Sequence, residues 1–179
     1  MRNAIKAHQS LYAIGGVLHR DISPNNVIVT EPETADGFED MLIDQDLAEV
    51  RDNGLSGAEH RTGTIPLMAI EVLRKASHTC RHYPESFFYV LLWEIGTFEE
   101  IADTKVGNMT ENGLKVIMRH FPRSLDAIKP LCLRIGNILF PIENRRIKVG
   151  TRAGDPDQLY GPIIAAYDGA ISGLSSTSM

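Results

Sequence analysis

The residues that could do chemistry are concentrated in two short stretches. The first, residues 18–29, reads Leu-His-Arg-Asp-Ile-Ser-Pro-Asn-Asn-Val-Ile-Val, and the second, residues 42–48, reads Leu-Ile-Asp-Gln-Asp-Leu-Ala. Phosphoryl transfer requires a carboxylate that orients a hydroxyl nucleophile and oxygen ligands that hold Mg²⁺ on the phosphates. Asp21 suits the first task, and Asn26 and Asp44 suit the second. The two stretches therefore predict a phosphoryl-transfer site.

The spacing of these residues resembles the protein kinase signature, in which His-Arg-Asp is followed five residues after its Asp by an Asn, and later by Asp-Phe-Gly. Two segments are similar to the fungal-type protein kinase family: His-Arg-Asp-Ile-Ser-Pro-Asn-Asn at 19–26 and Glu-Ser-Phe-Phe-Tyr-Val-Leu at 85–91. The resemblance implies transfer of the γ-phosphoryl group of ATP to a protein Ser or Thr hydroxyl. It implies ATP and Mg²⁺ as cofactors and a protein substrate as partner.

The resemblance also implies a role for each residue of the site. Arg20 would clamp a phosphorylated activation loop, for which Thr62 is the nearest candidate. Ser23 would either contact the transferred phosphate or face solvent, and His19 is expected to be a packed structural histidine. The expected site residues are Asp21, Arg20 and Ser23 for catalysis, Asn26, Asp44 and Ile28 for the nucleotide, and Asn26 and Asp44 for the metal.

Residues 61–71, Arg-Thr-Gly-Thr-Ile-Pro-Leu-Met-Ala-Ile-Glu, resemble the kinase segment Gly-Thr-x-x-Tyr-Met-Ala-Pro-Glu. By that match Thr64 faces Asp21, and Glu71 is a buried structural acid whose candidate partner is Arg146. The segment would dock a peptide. It favours a protein kinase over the alternative of an aminoglycoside-type or choline-kinase-like phosphotransferase, which shares the His-x-Asp…Asn…Asp layout.

Three positions depart from the common protein kinase pattern, although the fungal-type family tolerates the first of them. Ser23 replaces the Lys that most Ser/Thr kinases carry, and Gln45 replaces the apolar residue of Asp-Phe-Gly. Tyr83 stands where kinases usually hold an Asp that ties down the backbone of the catalytic turn, which is residues 19–26 in this chain. Burying Gln45 without a partner would cost about 1–3 kcal/mol. These departures keep a second class of function open, in which the chain is a truncated pseudokinase lobe that acts as a binding module.

The elements that must position the site follow from the periodicity of the apolar residues. Apolar residues at spacings of three and four predict a helix from Met1 to Gly15. A strand at 27–29 and a partner strand at 41–43 predict a hairpin that brings Asp44 beside Asn26. A long mobile loop at 45–71 follows. Further helices are predicted around the apolar run 87–93 and at 112–121, 125–140 and 158–173.

The length of the chain constrains the domain organisation. Its 179 residues are fewer than the roughly 250 of a complete kinase domain, and no glycine-rich loop or strand Lys precedes the catalytic turn. The expected fold is α+β and mainly helical: a kinase-like carboxyl-terminal lobe whose small β-hairpin carries the catalytic loop, with the amino-terminal lobe absent. Residues 1–150 are expected to form this partial kinase domain, and 151–179 a C-terminal helix with a disordered tail from Leu174. The isolated chain is expected to be inactive.

Composition narrows the remaining classes of function. The net charge of −5 provides no basic surface for nucleic acid. One local basic cluster is interpreted as solvated or internally paired; it consists of Arg145, Arg146, Lys148 and Arg152. The two cysteines, Cys80 and Cys132, have no disulfide or zinc spacing, which favours a reducing compartment. The longest apolar run, seven residues, is too short to span a membrane. We therefore expect an intracellular protein, cytoplasmic or nuclear, that binds neither nucleic acid nor membrane, and the sequence does not indicate its oligomeric state.

Overall fold

The chain folds into a mainly helical α+β structure with small antiparallel sheets, as expected. The computed structural model describes residues 1–30, 40–50, 63–95, 105–144, 146–148 and 156–177. Thr62, Arg145 and Arg152, which the sequence analysis singled out, lie outside these residues. The helices are α1 (Arg2–Gly15), α2 (Ile70–Leu73), α3 (Tyr83–Ile95), α4 (Lys105–Asn108), α5 (Glu111–Ile117), α6 (Lys129–Leu139) and α7 (Asp157–Thr177). Within the described residues no helix is both long and apolar enough to cross a membrane.

Helix α1 begins one residue after Met1 and leads directly to the site. Its inward face buries Ala4, Ile5 and His8, as the three-and-four spacing predicts. The helix ends because Gly16 adopts a left-handed conformation with φ 63°, which glycine reaches without steric cost. The Gly16 amide then bonds to the Tyr12 carbonyl at 3.0 Å, and the chain enters the first strand.

Two pairs of short antiparallel strands enclose the site. Strand β1 (Val17–Leu18) pairs with β4 (Glu49–Val50), and between them β2 (Val27–Val29) pairs with β3 (Asp40–Leu42). The inner hairpin is the predicted one, although β3 begins one residue earlier than expected. The outer pair was not predicted, and its second strand, β4, lies inside the stretch at 45–71 that was predicted as a mobile loop. A 3₁₀ turn at Ile65–Leu67 and the beginning of α2 lie there too.

The hydrophobic core is built around α3. Phe87, Phe88, Tyr89 and Leu92 are each at most 1% exposed, as expected for a helix that is apolar on every side. The same core includes buried residues of α1, α5, α6 and α7. The central position of α3 matters for the site because the catalytic turn and the segment at 63–71 both pack on its first turns.

The carboxyl-terminal helices differ from prediction at their ends. The predicted helix at 112–121 is α5 followed by a 3₁₀ turn at Met118–His120, and the predicted helix at 125–140 is a 3₁₀ turn at Arg123–Ile128 followed by α6. Helix α6 begins at Lys129 because Pro130 favours a first-turn position. Helix α7 continues through Thr177, so the tail expected from Leu174 is helical for four residues. A last small hairpin joins β5 (Ile142–Glu143) to β6 (Arg146–Ile147).

Candidate active site

The Asp21 carboxylate lies at the centre of the site and is held by three hydrogen bonds. The Asn26 side-chain amide donates to Asp21 Oδ2 at 3.1 Å. The backbone amide and the hydroxyl of Thr64 donate to Oδ1 at 3.0 and 3.2 Å. The predicted contact between Thr64 and Asp21 is therefore confirmed. A carboxylate held from both sides keeps a fixed orientation, which a group that orients a nucleophile requires.

Asn26 and Asp44 are brought together by the inner hairpin. The Asn26 carbonyl accepts a hydrogen bond from the Ile43 amide at 2.9 Å, so Asp44 is one residue from this contact. The Asn26 Nδ2 atom donates to the Asp21 carbonyl as well as to its carboxylate, which leaves Asn26 Oδ1 free of these bonds. Asp44 is exposed, has φ 60°, and accepts the Asp46 amide at its Oδ1 atom.

The donor chemistry of this pair fits Mg²⁺. The ion takes oxygen ligands and is commonly bound by one or two protein side chains, with waters and substrate phosphates filling the remaining positions. Asn26 and Asp44 offer an amide oxygen and a carboxylate. Among the described residues there is no cluster of three or more His, Cys, Asp or Glu side chains that would hold a metal by itself.

His19 and Arg20 connect the catalytic turn to the chain that follows Asp44. His19 is fully buried, as expected for a structural histidine, and its Nε2 lies 2.9 Å from the Ile43 carbonyl oxygen. Because a carbonyl can only accept, Nε2 carries the proton. The Arg20 guanidinium is buried and forms an ion pair of 3.1 Å with Glu49 in β4. The expected phosphate clamp is thus already engaged by a carboxylate, and Thr62 lies outside the described residues.

Gly63 allows Thr64 to approach the catalytic turn. Its φ of 105° is one that side-chain-bearing residues rarely adopt, and a Cβ there would lie 2.7 Å from the Arg20 carbonyl oxygen. That oxygen belongs to the backbone and cannot move aside cheaply. Glycine at this position is therefore required by the closeness of the two segments as well as by the backbone angle.

Comparison with known proteins identifies the family of this chain. A family model described as "Fungal protein kinase" matches residues 1–95, more than half of the chain. The chain belongs to the fungal protein kinase family. Human mitogen-activated protein kinase kinase kinase 11 is 34% identical over 93 residues, which are 49% of this chain and 10% of that protein. The chain thus matches about a tenth of the length of this curated relative. The family-matched range includes the catalytic turn, both hairpin strands and α3.

The structure shows how far the residues that depart from the common protein kinase pattern, and Ile28, are exposed. Gln45 is exposed, so the cost expected from burying its amide does not arise. Ser23 is 3% exposed, so the alternative in which it faces solvent is wrong. Ile28 is 38% exposed on β2. Tyr83 is 2% exposed and begins α3 directly beneath the turn.

The partner expected for Glu71 is wrong. Glu71 is 34% exposed at its side chain and lies 3.3 Å from His82 Nε2, whereas Arg146 is exposed on the β5–β6 hairpin. The other ring nitrogen of His82 accepts the Thr79 amide at 3.0 Å, which requires Nε2 to be the protonated nitrogen. Burial lowers the pKa of His82, although its hydrogen bond to Glu71 opposes this.

A buried polar cluster beneath residues 68–70 was not predicted. Glu85 is 4% exposed, and its Oε1 accepts the Ile70 amide and the Tyr89 hydroxyl, each at 2.7 Å. Lys105 donates to the Met68 carbonyl at 2.6 Å, with its ammonium 3.9 Å from the centre of the Tyr89 ring. Burial raises the pKa of Glu85 and lowers the pKa of Lys105 to about 8. The cluster fixes the backbone of the segment that carries Thr64. An acid next to an apolar helix was a signal for Glu85, but no local pattern indicated Lys105.

Proposed function

We propose that this chain contributes the catalytic-loop part of a protein kinase that transfers the γ-phosphoryl group of ATP to a Ser or Thr hydroxyl of a protein. The observation that carries the proposal is the Asp21 carboxylate, oriented by Asn26 on one side and by Thr64 on the other. Family membership supports a phosphotransferase in general.

Asp21 would orient the attacking hydroxyl and accept its proton. The hydroxyl oxygen forms a bond to the γ-phosphorus while the bond from that phosphorus to the bridging oxygen breaks, and ADP leaves. A carboxylate offers about four lone-pair positions. The three hydrogen bonds from Asn26 and Thr64 leave room for the substrate hydroxyl. Because Thr64 belongs to the segment that would dock a peptide, substrate binding and orientation of the base would be coupled.

Asn26 and Asp44 would hold the magnesium ion. Bound Mg²⁺ neutralises the charge that develops on the phosphates during transfer. The contact of Asn26 Nδ2 with Asp21 supports this assignment because it turns the amide oxygen to the other side. Ile28, partly exposed on β2, would contact the nucleotide. Ser23 would support the turn from its buried side, and Arg20 would position Asp21 through its pair with Glu49.

The exposed apolar side chains around the site support the proposal that a second segment covers it. Val29 is 76% exposed, Val50 45% and Leu47 41%, and all three lie on or beside the strands that flank the site. In a kinase that second segment would be the amino-terminal lobe, which would also supply the glycine-rich loop and the strand Lys. We therefore propose residues 1–150 as a carboxyl-terminal kinase lobe, extended by α7.

The metal assignment is testable on the chain itself with Mn²⁺ as a paramagnetic probe. We expect substoichiometric Mn²⁺ to broaden the amide NMR signals next to Asn26 and Asp44, and excess Mg²⁺ to restore them. The Asp44→Asn variant should lose this broadening. The control is Asp168→Asn, which removes an exposed carboxylate of α7 that pairs with Arg2 at 3.1 Å. Broadening that survives Asp44→Asn would show that Asp44 is not a ligand.

The second candidate function, a binding module without catalysis, is favoured by Tyr83 in place of the expected Asp. A phosphotransfer assay decides between the two. The complete protein that contains this chain should transfer radiolabelled phosphate from ATP to Ser or Thr of a mixed protein substrate, whereas we expect no turnover from residues 1–179 alone. Absence of transfer by the complete protein, with Mn²⁺ binding intact, would favour the binding module.

A further inference from the structure

A small cavity lies between the catalytic turn, the segment at 63–72 and the first turn of α3. Its volume is about 10 Å³, and its lining includes Arg20 of the turn, His78 from the chain between α2 and α3, and Tyr83 of α3. A cavity of this size is about the smallest that holds a single water molecule.

The three polar side chains that line this cavity share an unusual property. Four of their buried atoms form no hydrogen bond of regular geometry with the described residues: Arg20 Nε, Tyr83 Oη and both ring nitrogens of His78. A buried polar atom is nearly always paired, either with protein or with ordered water. The two ring nitrogens of His78 point in different directions, so a single small partner can reach only one of them. A small polar molecule in the cavity could therefore pair with Arg20 Nε, Tyr83 Oη and one ring nitrogen of His78.

The hydrogen-bonding capacities of these atoms match those of water. Arg20 Nε can only donate, the Tyr83 hydroxyl can donate or accept, and a neutral imidazole has one donor and one acceptor. His78 is neutral at pH 7 because burial, followed by the charge of Arg20, lowers its pKa to about 4. A water molecule accepts two hydrogen bonds and donates two, so it can serve both kinds of group at once.

The backbone of the turn needs such support. Arg20 has a φ of 69°, in the left-handed region that residues other than glycine seldom occupy. Such a conformation persists only where the surroundings hold it in place. Tyr83 lies against this backbone: burial raises its pKa, and the nearby Arg20 guanidinium and main chain oppose that rise.

We propose that the cavity binds one ordered water molecule, which joins Arg20, His78 and Tyr83 and thereby fastens the catalytic turn to α3. The proposal that a water molecule is bound does not depend on any reaction. The proposal that Tyr83 is a positioning residue, which acts on Asp21 through the turn, rests on the proposed kinase function.

A pair of Tyr→Phe variants tests the water by thermal unfolding. Tyr167 is the matched control, because it is also buried, its hydroxyl also has no partner among the residues that the structure describes, and it does not line the cavity. Tyr83→Phe should lower Tm by about 2–4 °C, since it removes a hydroxyl bonded to water. Tyr167→Phe should leave Tm unchanged or raise it, because it removes an unpaired buried hydroxyl. A Tm for Tyr83→Phe that equals or exceeds that of the unaltered chain would overturn the proposal.

A crystal structure of the unaltered chain gives a second test that does not depend on how the variants fold. We expect one electron-density peak in the cavity, within roughly 3 Å of Tyr83 Oη and Arg20 Nε. An empty cavity would overturn the proposal.

The positioning role is tested by kinetics in the complete protein. Tyr83→Phe should lower kcat roughly tenfold or more while the KM for ATP is unchanged, because the turn is displaced and the nucleotide contacts are not. An unchanged kcat would overturn the positioning role. If the unaltered protein had no activity, the kinase function would fail, and the crystal structure would still decide the water site.

Discussion

Replacement of Gly63 by alanine should separate the catalytic turn from the segment at 63–71. The new Cβ would lie 2.7 Å from the Arg20 carbonyl oxygen and 3.2 Å from Asp21 Oδ1, with the backbone at φ 105°. The left-handed backbone costs about 1–2 kcal/mol with a side chain, and the forced contact adds about 1–3 kcal/mol. Reduced entropy of the unfolded chain returns about 0.4–1 kcal/mol. We therefore expect a net destabilisation of about 2–4 kcal/mol.

Thermal unfolding measures this loss, which corresponds to a decrease in Tm of roughly 5–15 °C for a chain of this size. The control is Gly173→Ala in α7, where a Cβ would meet nothing within 4 Å. The same chemical change should there raise stability by about 0.5–1 kcal/mol, because alanine favours a helix.

NMR can locate the effect of Gly63→Ala. The Thr64 amide, which donates to Asp21 at 3.0 Å, should exchange its hydrogen faster and shift its resonance. If Gly63→Ala and Gly173→Ala had equal Tm values, the close approach of the two segments would be refuted. A large loss of stability without a change in the hydrogen exchange or resonance of the Thr64 amide would show that the strain does not act at the contact between Thr64 and Asp21.

Two further predictions concern buried polar groups. Burial lowers the pKa of His8 from 6.5 to about 3, so the folded state resists protonation of His8. The stability that neutral His8 provides is complete above pH 6.5 and is lost as the pH falls, because the unfolded chain binds the proton first. Between pH 6.5 and about 4.5 the free energy of unfolding should fall by about 2 kcal/mol on account of His8, partly offset by Glu85, whose pKa is raised. A Tm that is constant over this range would contradict a buried, neutral His8. Tyr89→Phe should destabilise the fold by about 1–3 kcal/mol in urea unfolding, because the hydroxyl donates to Glu85 at 2.7 Å; an unchanged midpoint would show that this bond contributes nothing.

The parts of the fold that sequence predicted are those determined by local patterns. Periodicity predicted α1, a continuous apolar run predicted the buried α3, and a run of β-branched residues predicted the first strand of the inner hairpin. The contact of Thr64 with Asp21 followed from the resemblance of a continuous segment. In each case the information lies in a few neighbouring residues, so periodicity or a motif can recover it.

The parts that sequence did not predict depend on contacts between distant residues. Glu49 reaches Arg20 through the pairing of two-residue strands, which are too short to carry a periodic signal. Lys105 reaches Met68 from a four-residue helix. Glu71 was assigned to Arg146 by resemblance, but the short turn before α3 brings His82 closer. Propensity does not specify which distant side chains meet, because that depends on how the elements pack.

The nested arrangement of the strands has a consequence for how the site assembles. If the β2–β3 hairpin forms first, the free loop between β1 and β4 becomes about half as long. The entropic cost of pairing β1 with β4 then falls by about 0.6 kcal/mol. Asn26 and Asp44 adjoin the inner hairpin, whereas the ion pair of Arg20 with Glu49 depends on the outer one. The proposed metal ligands are therefore expected to meet early in folding. A chain that begins to open should release Arg20 before it separates Asn26 from Asp44.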